Sequence, residues 1–197
     1  MTYNPIAMFT AQKVYAMLAN ESLWQATVQC HEILTAARVP HAVMGGVAVC
    51  LHGYQRNTVD VDLLVRKEDS KAIRESLESE SFVWNAKEKE FRSPSGVVIQ
   101  FLLAGDKAGT DSEVKLPDPA DERTIVEIED LPVLKLSKLI ETKLACGLGS
   151  VRRTHRDFAD VVELILQNRL NSSFARYLHK SLRGTYRELV RKSRGKT

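Results

Sequence analysis

Cysteine is scarce in this chain, and long apolar runs are missing altogether. The three cysteines (Cys30, Cys50, Cys146) include no C-x-x-C pair, which excludes both a disulfide framework and a zinc site of that spacing. No apolar run approaches the roughly 20 residues of a membrane span. Residues 1–20 lack the basic, then apolar, then small-residue order of a secretory signal. These absences predict a soluble cytoplasmic protein with reduced thiols and no membrane partner. Repeats and low-complexity tracts are lacking too, and with 44% hydrophobic and 27% charged residues the composition excludes extensive disorder. At 197 residues the chain is long enough for one core with a helical appendage, and short for two full cores.

What the sequence does have is an uneven charge. The formal net charge is only +3, yet residues 169–197 hold nine basic residues against one acid, Glu188. Such a split points to a polyanion near the C-terminus. Arg176, Lys180, Arg183, Arg187, Arg191 and Arg194 are spaced three or four apart. On one continuous helix they would share an arc of roughly 80°. The stripe fits a nucleic-acid-binding face, and it equally fits the solvated side of an amphipathic helix. Gly184 weakens the helix by about 1 kcal/mol relative to alanine.

Apolar periodicity predicts a helix over 21–38, stopped by Val39-Pro40, then a short strand over 41–44 running into Gly45-Gly46. One or two helical turns follow to His52, and 59–65 (VDVDLLV) reads as a strand. A polar helix is expected over 67–80, strands over 81–86, 90–93, 96–103 and 123–129, and three helices in succession after 134. The order predicts an α+β fold: a mixed-sheet core over 1–131 and a helical C-terminal region over 132–197, with a seam near Asp130 to Pro132.

The chemistry gathers around Asp60 and Asp62. Two apart on a strand, they project from the same face, roughly 7 Å apart along the backbone. Two like charges in an apolar strand are unfavourable unless something positive lies between them, or unless the strand end meets water. A hard divalent cation with oxygen ligands is the natural candidate, Mg²⁺ being the usual one beside phosphate. Upstream, Gly45-Gly46 follow a strand and open a helix, where bare backbone N–H groups can approach an anion. Strand, glycine pair, short helix and acidic strand together would hold a nucleoside triphosphate with its Mg²⁺. Arg56 and Thr58, just before the acidic strand, are placed to touch phosphate or to buttress the loop.

Met44 to Val65, MGGVAVCLHGYQRNTVDVDLLV, resembles the signature of the nucleotidyltransferase (DNA polymerase β-like) superfamily. The likeness extends to the group of abortive-infection and type IV toxin nucleotidyltransferases, through Lys143-Leu144-Ala145 and Arg156-Asp157-Phe158-Ala159-Asp160, and covers about 21–167. It implies a nucleotidyltransferase-like mixed sheet flanked by helices, and transfer of an NMP from an NTP to an RNA (tRNA) or protein hydroxyl, in a toxin–antitoxin setting with an antitoxin-like partner. By position, Gly45 and Gly46 would line the triphosphate and Asp60 and Asp62 would ligate Mg²⁺. Lys143 would face the phosphates, with Asp157 or Asp160 orienting it or completing the site. Asp157 and Asp160 share a helix face, which predicts partial burial and a partner such as Lys143 or Arg156.

The pattern breaks once. Where many superfamily members carry a third carboxylate, Gly96-Val97-Val98-Ile99-Gln100-Phe101-Leu102-Leu103 has Gln100. An amide is neutral and cannot act as a base. Either the protein binds nucleotide without efficient transfer, or Lys143 and a late aspartate serve with the Asp60–Asp62 pair. A polar residue in so apolar a strand predicts a position facing a site.

Overall fold

The computed structural model describes residues 10–110 and 112–195. Seven strands form one mixed sheet: β1 (His41–Met44), β2 (Asp60–Val65), β3 (Val83–Asn85), β4 (Glu90–Arg92), β5 (Val98–Leu103), β6 (Ile125–Ile128) and β7 (Leu131–Leu134), in the order β3-β4-β5-β2-β1-β7-β6. β1 runs antiparallel to β2 and parallel to β7, while β5 lies parallel to β2. The centre forms where the sequence is most apolar: all four residues of β1 are buried, as are Val61 and Leu63–Val65 of β2.

The pleat sorts side chains onto two faces. Val65, Phe101 and Leu103 face α4 (Ser70–Ser79), which inserts Ile73 and Leu77. Asp60, Asp62, Gln100 and Leu102 face the other way, toward α5 (Leu136–Gly149). α5 packs along its length on α6 (Val151–Gln167), and α3 (Gly45–Leu51) sits between β1 and β2 at one end. α2 (Glu21–Ala36) packs against α4 and the central strands. Among the described residues no helix is long and apolar enough to cross a membrane, and no disulfide joins the three cysteines.

Three features depart from the sequence reading. Ala11–Met17 forms a helix, α1, that periodicity did not reveal; Thr10 caps it and Ala11 N–H donates to Glu129 at 2.7 Å. The expected seam at 130–132 is a hairpin turn leading into β7, a strand beside β1. Glu129 and Asp130 adopt positive φ (50° and 61°), the conformation of a tight hairpin turn. Pro132, placed at the end of the expected seam, pairs with Glu127 on the β6 side. The helical part begins only at Leu136.

The third departure concerns the basic stripe. The segment is not one helix but two 3₁₀ turns, Ser172–Tyr177 and Lys180–Leu182, followed by α7 (Arg183–Ser193). Between the two turns Leu178 is extended, and the carboxylate of Glu141, buried on α5, accepts the backbone N–H of His179 there. Arg176 and Lys180 therefore leave the common face. Arg183 Nε donates to Leu178 O (3.0 Å) and Arg194 Nη2 to Leu170 O (3.0 Å), so two of the six expected nucleic-acid contacts bond the chain's own carbonyls. Arg187 and Arg191 stay exposed on α7, and Lys196 of the same tail lies outside the described residues.

Two histidines make the fold acid-sensitive. His52 Nε2 donates to Leu134 O at 2.8 Å, tying the end of α3 to β7. His41 Nδ1 meets Val39 O at 2.8 Å and its Nε2 meets His31 Nδ1 at 2.9 Å. Burial lowers the pKa of both His41 and His52 below the ordinary imidazole value. The unfolded chain then binds protons that the folded chain refuses, so stability is whole above about pH 6.5 and declines as the pH falls. Urea midpoints should drop between pH 7.5 and 5.5, and the drop should shrink in a His41→Gln, His52→Gln double variant.

Candidate active site

The acidic strand and the glycine turn meet through direct contact. Asp62 is paired with Met44 across β1–β2, one residue before Gly45. Gly45 adopts φ +62°, and a Cβ added there would lie 1.8 Å from Asp62 Oδ2. At Gly46 an added Cβ would fall 2.5 Å from Thr58 Oγ1. The glycine pair is thus required first by the two side chains that press against it. Thr58, 3% exposed, donates its hydroxyl to Asp60 Oδ1 at 2.9 Å. Asn20 holds that loop from outside, donating to Thr58 O at 2.9 Å and to Asn57 Oδ1 at 2.7 Å.

Across the cleft from β2 lies a charge network. Arg56 grips Asp160 through two bonds, Nε–Oδ1 at 2.7 Å and Nη2–Oδ2 at 2.8 Å. Lys143 Nζ sits 2.7 Å from Asp160 Oδ2 and 3.1 Å from Asp157 Oδ1. Burial opposes the charge on Asp160, but the Arg56 hydrogen bonds and the Lys143 ammonium outweigh it and hold its pKa below the carboxylate norm. Burial likewise works against the Arg56 guanidinium, and Asp160 outweighs that too, raising its pKa. Asp157 Oδ2 is buried without a hydrogen-bond partner. Arg156 is exposed at the rim and reaches Thr58 Oγ1 at 3.4 Å.

These groups enclose a cleft of about 150 Å³. Gly45, Gly46, Arg56, Asp60, Asp62, Lys143 and Asp157, each expected from sequence, line it. Gln100 lines it as well and stands directly beside Asp62 in the β2–β5 register, so the departing residue faces the cleft as its polarity predicted. Thr58 and Asp160 stand behind the lining, holding Asp60 and the two cations. Arg176, Lys180, Arg183, Arg187, Arg191 and Arg194 are not part of the cleft. Besides Met44 and Leu102 of the sheet, three lining residues of α5 escaped the sequence reading: Leu139, Thr142 and Cys146. With Lys143 they recur at three- and four-residue intervals along α5, the helical periodicity that could have picked them out.

The architecture can now be set beside known structures. A candidate nucleotidyltransferase from H. pylori superposes with a TM-score of 0.50 at 18% identity, over 89% of this chain and 80% of that one. The fold is that of the nucleotidyltransferases. Weaker matches are a candidate nucleotidyltransferase from Thermotoga maritima (TM-score 0.48, 16% identity, 78% of this chain and 95% of that one) and ANT(2″)-Ia in complex with adenylyl-2″-tobramycin (0.49, 15%, 83% and 98%). No family model and no curated protein matches the sequence.

Two substitutions probe this geometry. Asp160→Asn leaves two buried cations undercompensated and should cost about 3–5 kcal/mol in urea unfolding at pH 7. Because the Asp160 pKa is lowered on folding, its stabilisation is full above about pH 3.9 and is lost as the pH falls through the folded value. Gly45→Ala should destabilise the protein by more than Gly96→Ala; both glycines have positive φ, but only at Gly45 does the added methyl collide with a carboxylate.

Proposed function

We propose that the protein is a Mg²⁺-dependent nucleotidyltransferase that moves an NMP from an NTP to a hydroxyl of RNA, the acceptor end of tRNA foremost. The reading rests on one observation: the acidic pair, the glycine turn and Lys143 come from three separate stretches of sequence and line a single cleft. The fold shared with the H. pylori structure supports it.

The donor set fits a hard cation. Asp60 and Asp62 offer carboxylate oxygens from one strand face, and Asp157 adds a buried oxygen with no hydrogen-bond partner in the same cleft. Among the described residues no three carboxylate, imidazole or thiolate groups converge on one point, so phosphate and water oxygens would complete the coordination. Bound there, Mg²⁺ supplies neutralisation of phosphate charge. The residues do the rest. Gly45 and Gly46 admit the phosphates close to backbone N–H groups, and Arg156 and Lys143 face the charge of the departing pyrophosphate. The acceptor oxygen bonds to the α-phosphorus as the bond from that phosphorus to the α–β bridging oxygen breaks. Pyrophosphate keeps the electron pair and the hydroxyl proton passes to water, since Gln100 has no basic atom. Positioning carries most of the catalysis in such a reaction. The likeness to type IV toxins adds a cytoplasmic toxin role and an inhibitory, antitoxin-like partner.

A second reading has its own observation. Gln100 beside Asp62 replaces a charged ligand by a neutral one, which favours a nucleotide- or nucleic-acid-binding protein with little turnover. Incubation with each α-³²P-NTP, Mg²⁺ and total cellular RNA or protein separates the two. Labelled macromolecule should appear with the wild-type chain and vanish in the Asp60→Ala, Asp62→Ala double variant. Label that persists in the double variant removes the first reading. Wild-type silence, with labelling gained by Gln100→Asp, establishes the second.

A further inference from the structure

The cleft does not stand alone. Beside it, past Leu102, lies a second lobe of about 340 Å³. Leu102, Thr142 and Cys146 line both spaces, so the two are neighbours with a shared wall. The outer wall is an arm, residues 105–110 and 112–116, that folds back on itself through Gly105 N–Leu116 O, Leu116 N–Asp106 O and Ala108 N–Val114 O bonds of 2.8–2.9 Å. The arm is seated firmly on α5. Cys146 Sγ meets Ala108 O, and a Cβ at Gly109 would lie 2.5 Å from Ala145 O. Ala108, Val114 and Leu116 point inward and are buried, whereas Lys107 and Lys115 face each other across the arm and are exposed.

That lysine pair calls for a reason. Like charges directly opposite across paired strands are destabilising. Neither lysine forms an ion pair among the described residues, and Lys107 lines the lobe. At the end of α5 the arm's Ser112 and Glu113 share a second hollow with Ser181 and Leu182, next to exposed Lys180. The arm therefore leads from the cleft toward the basic C-terminal segment.

We infer that this lobe is the subsite for the 3′-terminal nucleotide of a single-stranded RNA acceptor, with Lys107 and Lys115 on its backbone phosphates. The inference rests on the proposed transfer reaction and gives it a direction. An in-line displacement puts attacking and leaving oxygens on opposite sides of the phosphorus. Gly45-Gly46 follow β1, the acidic pair lies on β2, and Gln100 lies on β5, in that order across the sheet. With the leaving group over the glycines, the attacking hydroxyl comes from the β5 side, where the lobe opens. Its volume is at the lower end of small-molecule sites, about 300–1,000 Å³, which suits one residue of a chain. A floor of Leu102, Leu116 and Ala108 suits an unstacked base, and Lys107 in the lining, with Lys115 opposite it on the arm, suits the phosphate behind it.

The test uses the full chain and a short single-stranded RNA carrying 4-thiouridine at its 3′ end. Photo-crosslinking should mark peptides within 102–116 or 139–146. Removing both phosphate contacts with Lys107→Ala and Lys115→Ala should lower the slope of log affinity against log salt by about 1.4, with Mg·ATP affinity within about twofold of wild type by calorimetry. An RNA with a 3′-deoxy terminus should bind as well as the parent and accept no label. A crosslink elsewhere, an unchanged salt slope, label on the 3′-deoxy RNA, or label on protein alone would each overturn the subsite while leaving NMP transfer itself intact. Failure of the wild-type chain to bind any of the four Mg·NTPs would instead strike the transferase reading itself.

Discussion

Four charges, three of them buried and Arg56 half-buried, hold the site together. Arg56 comes from the loop before β2 and Lys143 from α5, while α6 supplies Asp157 and Asp160 between them. None of these groups would be stable alone in a dry interior, where an unpaired charge costs several kcal/mol. Together they close a circuit that fixes the acidic strand's approach loop to the helical region. The core and the C-terminal helices are consequently not free to swing apart, because separation would leave each charge to find water or another partner. The pairing also restrains Lys143, whose ammonium is shared between two carboxylates, so Arg156 at the rim is the less encumbered cation near the cleft.

Much of this was readable from residue order. The acidic pair, the glycine turn and the two α6 aspartates announce themselves because chemistry constrains their identities: alternating carboxylates in an apolar strand, two residues without side chains, an i, i+3 pair. Gln100 was legible for the same reason. The elements that escaped are those set by tertiary contacts. β7 carries a proline and only four residues, and its strand character comes from β6 and β1 on either side. α1 is seven residues long, too short to show a period, and is fixed by Glu129 from far along the chain.

The basic segment illustrates the opposite error. Its spacing obeyed a helical rule over nineteen residues, yet the chain there makes two 3₁₀ turns before α7, and a buried carboxylate on α5 holds the backbone N–H of His179 at the break. The arm over 105–110 and 112–116 lies between the expected strands 96–103 and 123–129 with no element expected for it, since nothing local marks a loop that gains its shape by lying on a helix. Side-chain patterns report what a segment prefers; they carry little about which distant group will bid for its backbone.

The close approach of Gly45 to Asp62 has a genetic consequence. The two positions share one small volume, so neither can drift independently: any residue larger than glycine at 45 demands a shorter one at 62, and the shorter one forfeits the carboxylate. Selection for the acid would therefore keep the turn bare, and a chain that lost the acid would be released to fill it.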